Sequence, residues 1–393
     1  MDFMMTPEQN QLLGRIEELA PRLVDDDLEQ RDRQGRFSRP LWNRLCEAGL
    51  HMLSAAPEFG GDDSQAQDIA LAMEALGECC DDTGLVFSLA AHLCACVHPI
   101  ARYGRPDLRR RWLSRIGRDH LLGAHAITEQ EAGSDVSAMT TRAAREGEHY
   151  RLSGRKCFIS NAPACDFIIV HARTADSGSF FDFSAFVIDR SSPGLRIDDR
   201  PMDKVGLRTT EMGEVQLDDV RVHESDRLGE EGGGGPIFQA CMARERTCLL
   251  ALYLGSMKRQ LRRCTGRLQN RRQFGKPLFD QQALAHRLVD MTVRYESARL
   301  ACLHAAWSLD HGQDGEFAAA IAKIVVSEAA ITNALDAVHL HGAEGILGGA
   351  VERDLRNALP STLFSGGTEL MKNQVARQLR FRARSADGQL ETA

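Results

Sequence analysis

The hydrophobic pattern of this chain changes its period twice, and that change constrains the fold more than any single residue does. From about residue 5 to 120 the apolar positions recur at helical spacing: Leu12, Leu13, Ile16, Leu19 and Leu23, then Leu41, Leu45, Leu50 and Leu53. Gly60-Gly61-Asp62-Asp63 interrupts the pattern, and an Ala-rich stretch from Gln67 to Cys79 resumes it. From about 121 to 235 the texture is that of short strands between Gly and Asp turns. Tyr150-Arg-Leu-Ser-Gly-Arg155, Phe167-Ile-Ile-Val-His-Ala172, Ser184-Ala-Phe-Val-Ile188 and Glu214-Val-Gln-Leu217 read this way. Gly232-Gly-Gly-Gly-Pro236 predicts a flexible boundary ahead of a new helix. Beyond it Leu249, Leu250, Leu252, Leu254, Met257 and Leu261 make a helix that is apolar around much of its circumference, as at the centre of a bundle. The chain therefore reads as α+β and multidomain: a helical segment 1–120, a β segment 121–235 and a second helical segment 236–393.

Composition narrows the function classes. The 393 residues suffice for a large core, and 43% hydrophobic with 26% charged residues is ordinary for a globular protein. A formal charge of −7 argues against nucleic acid as the main partner. Eleven cysteines are scattered without a disulfide pattern, which points to a reducing cytoplasm. Cys79-Cys80 and Cys94-x-Cys96 lack a second pair or a His at zinc-like spacing, so buried thiols and no metal are expected. Met1-Asp2-Phe3 opens into charged helix, so no signal peptide is expected. No apolar run approaches the roughly 18 residues of a membrane span, so none is expected.

The run Ala126 to Ala138 points to chemistry. A short apolar segment meets a Gly-Ser-Asp turn there, gathering backbone N–H groups and the hydroxyls of Thr128 and Ser134 at a strand end, where polar ligand atoms are often held. Thirteen consecutive positions resemble the signature of the acyl-CoA dehydrogenase family, flavoproteins that oxidise acyl thioesters between Cα and Cβ; Gln130 stands at the family's usual Pro. The resemblance runs from about residue 5 to 380 in the same order. It implies an N-terminal helical domain, a middle β-barrel, a C-terminal four-helix bundle and bound FAD.

Further segments extend the resemblance to individual cofactor residues. Ile127, Thr128, Gly133 and Ser134 belong to the signature. Lys156-Cys-Phe-Ile-Ser-Asn161 resembles the strand along the flavin, with Phe158 where Trp is more usual and Ser160 as the hydroxyl. A hydroxyl near flavin N5 can stabilise the reduced ring. Asn270-Arg-Arg-Gln-Phe-Gly-Lys-Pro-Leu278 resembles the family's Arg-x-x-Phe-Gly-Lys motif, which implies cofactor contacts from Arg271, Gln273 and Phe274 across a subunit interface, with Gln282 as another. Read without the family, the segment is a basic helix C-terminus favoured by the helix dipole. His339-Leu-His-Gly-Ala-Glu-Gly345 stands where the family has Gln-x-x-Gly-Gly-x-Gly, which places His339 and Gly342 at the adenosine end; Gly345 also allows close backbone approach. His339 and His341 also raise the thought of a metal, but i and i+2 face different ways and structural histidines are favoured. Thr368 and Glu369 match further cofactor positions.

Desaturating a thioester needs a positioned carboxylate with a raised pKa to take the weakly acidic Cα proton. In many members that Glu lies in a Tyr-Glu-Gly-Thr segment; the matching Phe364-Ser-Gly-Gly-Thr-Glu-Leu-Met371 has Ser365 there. A smaller branch, including isovaleryl- and long-chain acyl-CoA dehydrogenases, supplies Glu from another helix just before a substrate-contacting Arg. Met242-Ala-Arg-Glu-Arg246 resembles that segment, giving Glu245 as the base and Arg246 as the substrate Arg. Helical spacing independently puts Glu245 on a face with Cys241, Met242, Cys248 and Leu249, which would desolvate it and raise its pKa. Glu344 and Glu369 are the reserve candidates.

The substrate reading rests on resemblance too. Ser134 aligns with a thioester or pantetheine contact, and Ala243 replaces the branch's Asp. Gly84-Leu-Val-Phe-Ser-Leu-Ala-Ala-His-Leu-Cys-Ala-Cys96, Ser160-Asn-Ala-Pro163 and Met242-x-x-Glu-Arg-x-Cys-Leu249 resemble the prolyl-carrier-protein dehydrogenases of pyrrole natural-product pathways. The implied substrate is an aminoacyl thioester on a carrier protein, docked by arginines 109–111 or 377, 380, 382 and 384. Three alternatives stay open: short- or branched-chain acyl-CoA catabolism, a flavin oxidase or monooxygenase on the same fold, and a non-catalytic homologue. The resemblance implies a homotetramer and an electron acceptor, either a flavoprotein or oxygen.

Overall fold

Thr6 caps the first helix, Pro7–Leu19, through a reciprocal pair with Gln9, and the helix buries Leu12, Ile16 and Leu19 on one face. The computed structural model describes residues 4–386, with side chains to Arg382. The N-terminal Met1-Asp2-Phe3 and the Arg384 side chain thus lie outside the described residues.

The apolar residues picked out by helical spacing do not form two separate cores. Leu12, Ile16, Trp42, Leu45, Leu250, Leu252, Leu254 and Val326 belong to one continuous buried cluster. Helices Ala66–Cys79 and Ala251–Asn270 cross with backbones nearly touching. A Cβ on Gly77 would lie 2.1 Å from the Leu252 carbonyl oxygen, and one on Gly255 would lie 2.0 Å from that of Glu74. Two long helices, Gln282–Asp310 and Gly315–His341, complete the C-terminal bundle.

The middle segment is an eight-stranded sheet. Its order is Leu195–Ile197, Met212–His223, His149–Ser160, Arg142–Glu146, Phe167–Arg173, Phe183–Asp189 and Arg227–Leu228, with Gly123–Ala126 lying parallel to Phe167–Arg173. Tyr150, Leu152, Ile168, Phe186, Val215 and Val220 fill its own core. Ile169, Ala185 and Val187, on the other face, pack with Trp112, Ile237 and Cys241, so the sheet is fastened to helices from both ends of the chain.

Three expectations need correction. The glycines at 232–235 are packed rather than loose: Cβ atoms on Gly232, Gly234 and Gly235 would lie 2.5–2.7 Å from backbone oxygens of Phe181, Phe183 and Phe180. The helix expected from Ile237 onward is interrupted, running Gly234–Arg244, then a π-helical turn Glu245–Leu249, then Ala251–Asn270. Two helical stretches, Thr83–Tyr103 and Gly315–Ile346, are long and apolar enough to span a membrane by composition, with mean hydropathy 1.7 and 1.4. Of those apolar windows 83% and 61% is buried within the protein, as in core helices.

Candidate active site

Glu245 opens the π-helical turn, where the Leu250 N–H bonds back five residues to the Glu245 carbonyl at 3.3 Å. Such turns concentrate at functional sites because the extra residue re-aims the side chains around it. A second π turn, Leu93–Val97, packs against it. Cys94 and Cys248, one from each turn, are fully buried, and Cys248 Sγ donates to the Ala66 carbonyl at 3.4 Å.

The expected apolar surroundings of Glu245 are present. Cys241, Met242, Cys248 and Leu249 are all buried, although the π turn rather than unbroken α spacing sets their directions. Burial pushes the Glu245 carboxyl up to about 7, against the opposing pull of a hydrogen bond from Ser365 and the charge of Arg246.

Ser365 Oγ lies 2.5 Å from Glu245 Oε2 and donates to it. It gets there through a left-handed turn, with φ of 53° at Ser365 and 97° at Gly366. Buried Arg246 braces that turn, its Nε donating to the Ser365 carbonyl at 2.8 Å and its Nη1 to Gln374 Oε1 at 3.2 Å. Phe364 sets its ring edge against Phe87 at 5.0 Å between centroids. Of the reserve bases, Glu369 is exposed and Glu344 pairs with Arg267 at 2.6 Å; neither adjoins Glu245.

The signature run forms a second cluster. Ile127 is buried, Thr128 is half-buried, and Gly133 and Ser134 are exposed. The Thr128 carbonyl accepts from the Cys157 N–H at 3.0 Å, which sets the signature beside Phe158. Phe158 sits where the register of strand His149–Ser160 shifts against Met212–His223. It has φ of 57° and is 52% exposed, an open aromatic face with the half-buried hydroxyls of Thr128 and Ser160 nearby in the same segments.

Two residues that sequence reading passed over hold this cluster. Glu129 takes hydrogen bonds from Thr140 N and Oγ1, Thr141 N and Oγ1, and Lys156 Nζ, the last at 2.9 Å. Burial alone would raise its pKa, but the Lys156 charge and the Thr141 hydroxyl hold it down at about 2. Lys156 shares the alternating strand parity of Tyr150 and Leu152, and a lysine on that apolar side was the available signal.

The remaining expected cofactor residues lie elsewhere. Arg271, Gln273, Phe274 and Gln282 are exposed on or beside a two-stranded hairpin, Arg272–Gln273 with Lys276–Pro277, and Phe274 is 92% exposed at φ 52°. No hydrogen bond or ring contact joins them to Phe158 or Glu245 among the described residues. His339 is exposed at the end of helix Gly315–His341 and meets Arg287, beside Gly342 at φ 60°. With Leu284, Val338 and Ile346 they line an open depression of about 440 Å3. Thr368 is buried at the start of the last helix. Among the described residues no group of three metal-ligating side chains occurs.

The residues present suit a flavin nucleotide. An exposed aromatic platform with hydroxyls in reach takes a flat polar ring, and glycine-lined backbone accommodates a dinucleotide.

Comparison with known proteins places the chain in a family. The chain is 42% identical over 346 residues to an L-prolyl-[peptidyl-carrier protein] dehydrogenase of Pseudomonas fluorescens, covering 88% of this chain and 91% of that one. A solved structure described as PigA with FAD and proline superposes with a TM-score of 0.93 at 36% identity, covering 97% and 100% of the two chains. The crystal structure of the prolyl acyl carrier protein oxidase AnaB does so with a TM-score of 0.92 at 32% identity, covering 96% and 100%. Family models for the acyl-CoA dehydrogenase N-terminal, middle and C-terminal domains match residues 6–119, 124–220 and 232–380. With all three domain models matched in order over most of its length, the chain belongs to the acyl-CoA dehydrogenase family.

Proposed function

We propose that this chain is an FAD-dependent dehydrogenase that introduces a Cα–Cβ double bond into an aminoacyl group, prolyl or similar, held as a thioester on a carrier protein. The observation that carries the reading is Glu245, a carboxylate raised to about 7 by burial and held by Ser365. At neutral pH such a group is ionised in a large fraction of molecules yet basic enough to take a Cα proton. Ser365 donates to the carboxylate, and Arg246 fixes the turn that carries Ser365. The apolar walls from Cys241, Met242 and Leu249 exclude water from the proton-transfer path. Thr128, Phe158 and Ser160 would hold the flavin ring, and Arg271, Gln273, Phe274, Gln282, His339, Gly342, Thr368 and Glu369 the rest of the nucleotide; bound FAD supplies the hydride acceptor. Ser134, exposed at the signature turn, serves the thioester arm. The likeness to relatives that are named for prolyl carrier proteins supports the tethered substrate.

The oligomer belongs to the same reading. Phe274 at 92% exposure, with Ile346 at 75% and Leu347 at 64%, leaves apolar surface that a second copy would cover. We infer a homotetramer in which the hairpin bearing Arg271 completes a neighbour's cofactor site. The free cysteines, ten of the eleven buried, suit a reducing cytoplasm.

Anaerobic flavin bleaching tests the substrate directly. L-prolyl carrier protein, prolyl-CoA and a panel of acyl-CoAs are offered separately. Bleaching by the carrier-bound form alone is expected; bleaching by free acyl-CoAs instead would make this a catabolic acyl-CoA dehydrogenase.

A further inference from the structure

Arg244, immediately before Glu245, makes no side-chain hydrogen bond or ion pair among the described residues, although its Nη1 is shut away from solvent. That is unusual for a guanidinium, whose buried donors are nearly always satisfied. Its surroundings explain why nothing among the described residues serves it. Arg244 adjoins Glu245 in the chain, and Cys94 and Cys241 lie within electrostatic reach of both. Helix His98–Tyr103 brings up His98 and Tyr103, whose rings are in edge contact at 6.5 Å. Burial, with the charges of Arg244 and Arg102, holds His98 down at about 3, so it stays neutral and offers no counter-charge. Glu245, the nearest carboxylate in sequence, spends its oxygen on Ser365 instead.

The residue next to the base thus carries a fixed positive charge with an unserved donor. An acyl group carrying a hydrogen-bond acceptor near Cα would satisfy that donor; an ammonium there would be repelled, and a plain hydrocarbon ring would leave the donor unpaired. Resting on the functional reading above, we propose that Arg244 is a specificity-determining residue that donates to the uncharged ring nitrogen of the thioester-bound amino acid.

The test compares two isosteric rings on the same carrier protein, L-prolyl and cyclopentanecarbonyl, by anaerobic flavin bleaching. The wild type is expected to favour prolyl, and Arg244→Met to collapse that preference by about tenfold or more, the scale of a lost hydrogen bond to a charged donor. Arg244→Lys, which keeps a charged donor, is expected to recover part of it. If Arg244→Met does not fold, Arg244→Leu reads the same ratio. An unchanged ratio, with both rings slowed equally, would overturn the inference and leave the functional reading intact. Failure of both rings to bleach the wild type would overturn the two together.

Discussion

Ser365 Oγ donates to Glu245 Oε2, joining residues 120 positions apart. By family resemblance the serine occupies the place where many relatives carry the base, and Glu245 arrives at the same point from a different helix. The serine's hydroxyl stabilises the ionised carboxylate, while burial works the other way and dominates.

This opposition gives a pH prediction. As the proposed base, Glu245 has to be ionised to accept a proton, so the rate of flavin reduction is expected to rise with pH to a plateau, with an acid limb near 7. Ser365→Ala removes the stabilising bond and should move that limb to higher pH. Glu245→Gln should slow reduction by about 100- to 10,000-fold, the usual contribution of a general base. A Ser365→Ala profile superimposing on the wild type would show that the bond does not tune the base.

The same shift has a stability consequence of opposite sign. A carboxyl with a folded pKa of about 7 and an ordinary value of 4.5 binds its proton more tightly when folded. Between those values the folded state holds more protons than the unfolded one, so this group makes stability fall as pH rises through the window. Urea midpoints from pH 4.5 to 7.5 should show a smaller decline for Glu245→Gln than for the wild type.

Glu129 behaves in the reverse sense. Its folded pKa is depressed to about 2, so its contribution is present above the ordinary carboxylate range and is lost as pH falls toward 2. Lys156→Met strands that carboxylate without its buried partner and should cost about 3–5 kcal/mol. Loss of flavin affinity should accompany it, because Lys156 also donates to the Ile127 carbonyl within the signature run, at 3.0 Å. Chemical denaturation with a flavin-retention assay checks both.

Much of this was legible because burial follows pattern. Leu12, Ile16, Trp42's neighbours Leu41 and Leu45, and Leu250 through Leu254 all lie where helical spacing sends them. Glu245 stands out from its apolar neighbours even with its helix read as continuous. The π turns were invisible, since an i to i−5 bond depends on what packs across from it, here a second π turn, and has no residue signature of its own. The Gly232–Gly235 run misled for a different reason: glycine is used equally for freedom and for contact, and only Phe180–Phe183 on the other side decides which. Thr83–Tyr103 escaped notice because His92 and His98 divide an otherwise apolar run.

Helix Ala251–Asn270 contains its own control for close packing. A methyl at Gly255 would sit 2.0 Å from the Glu74 carbonyl oxygen, whereas one at Gly266 meets nothing within 4 Å. Gly255→Ala should therefore destabilise by about 1–3 kcal/mol through forced separation of the helices. Gly266→Ala should stabilise by about 0.5–1 kcal/mol through helix propensity. Thermal unfolding of the pair distinguishes a crossing held by backbone contact from one with slack.

The proposed sharing of the cofactor site between subunits makes the last prediction. Arg271 and Phe274 stand on an exposed hairpin without a link to Glu245 among the described residues, and the proposal has them complete a neighbour's site. Arg271→Ala alone should lower flavin retention, and Glu245→Gln alone should slow reduction by substrate to the residual rate given above. When the two variants are unfolded, mixed and refolded together, half of the paired subunits are hybrids. In a two-fold pair that exchanges hairpins, one of each hybrid's two sites then carries both substitutions and the other carries neither. Activity should recover to roughly a quarter of the wild-type level. If the hairpin instead served its own chain, every hybrid site would carry one defect, and mixing would recover nothing.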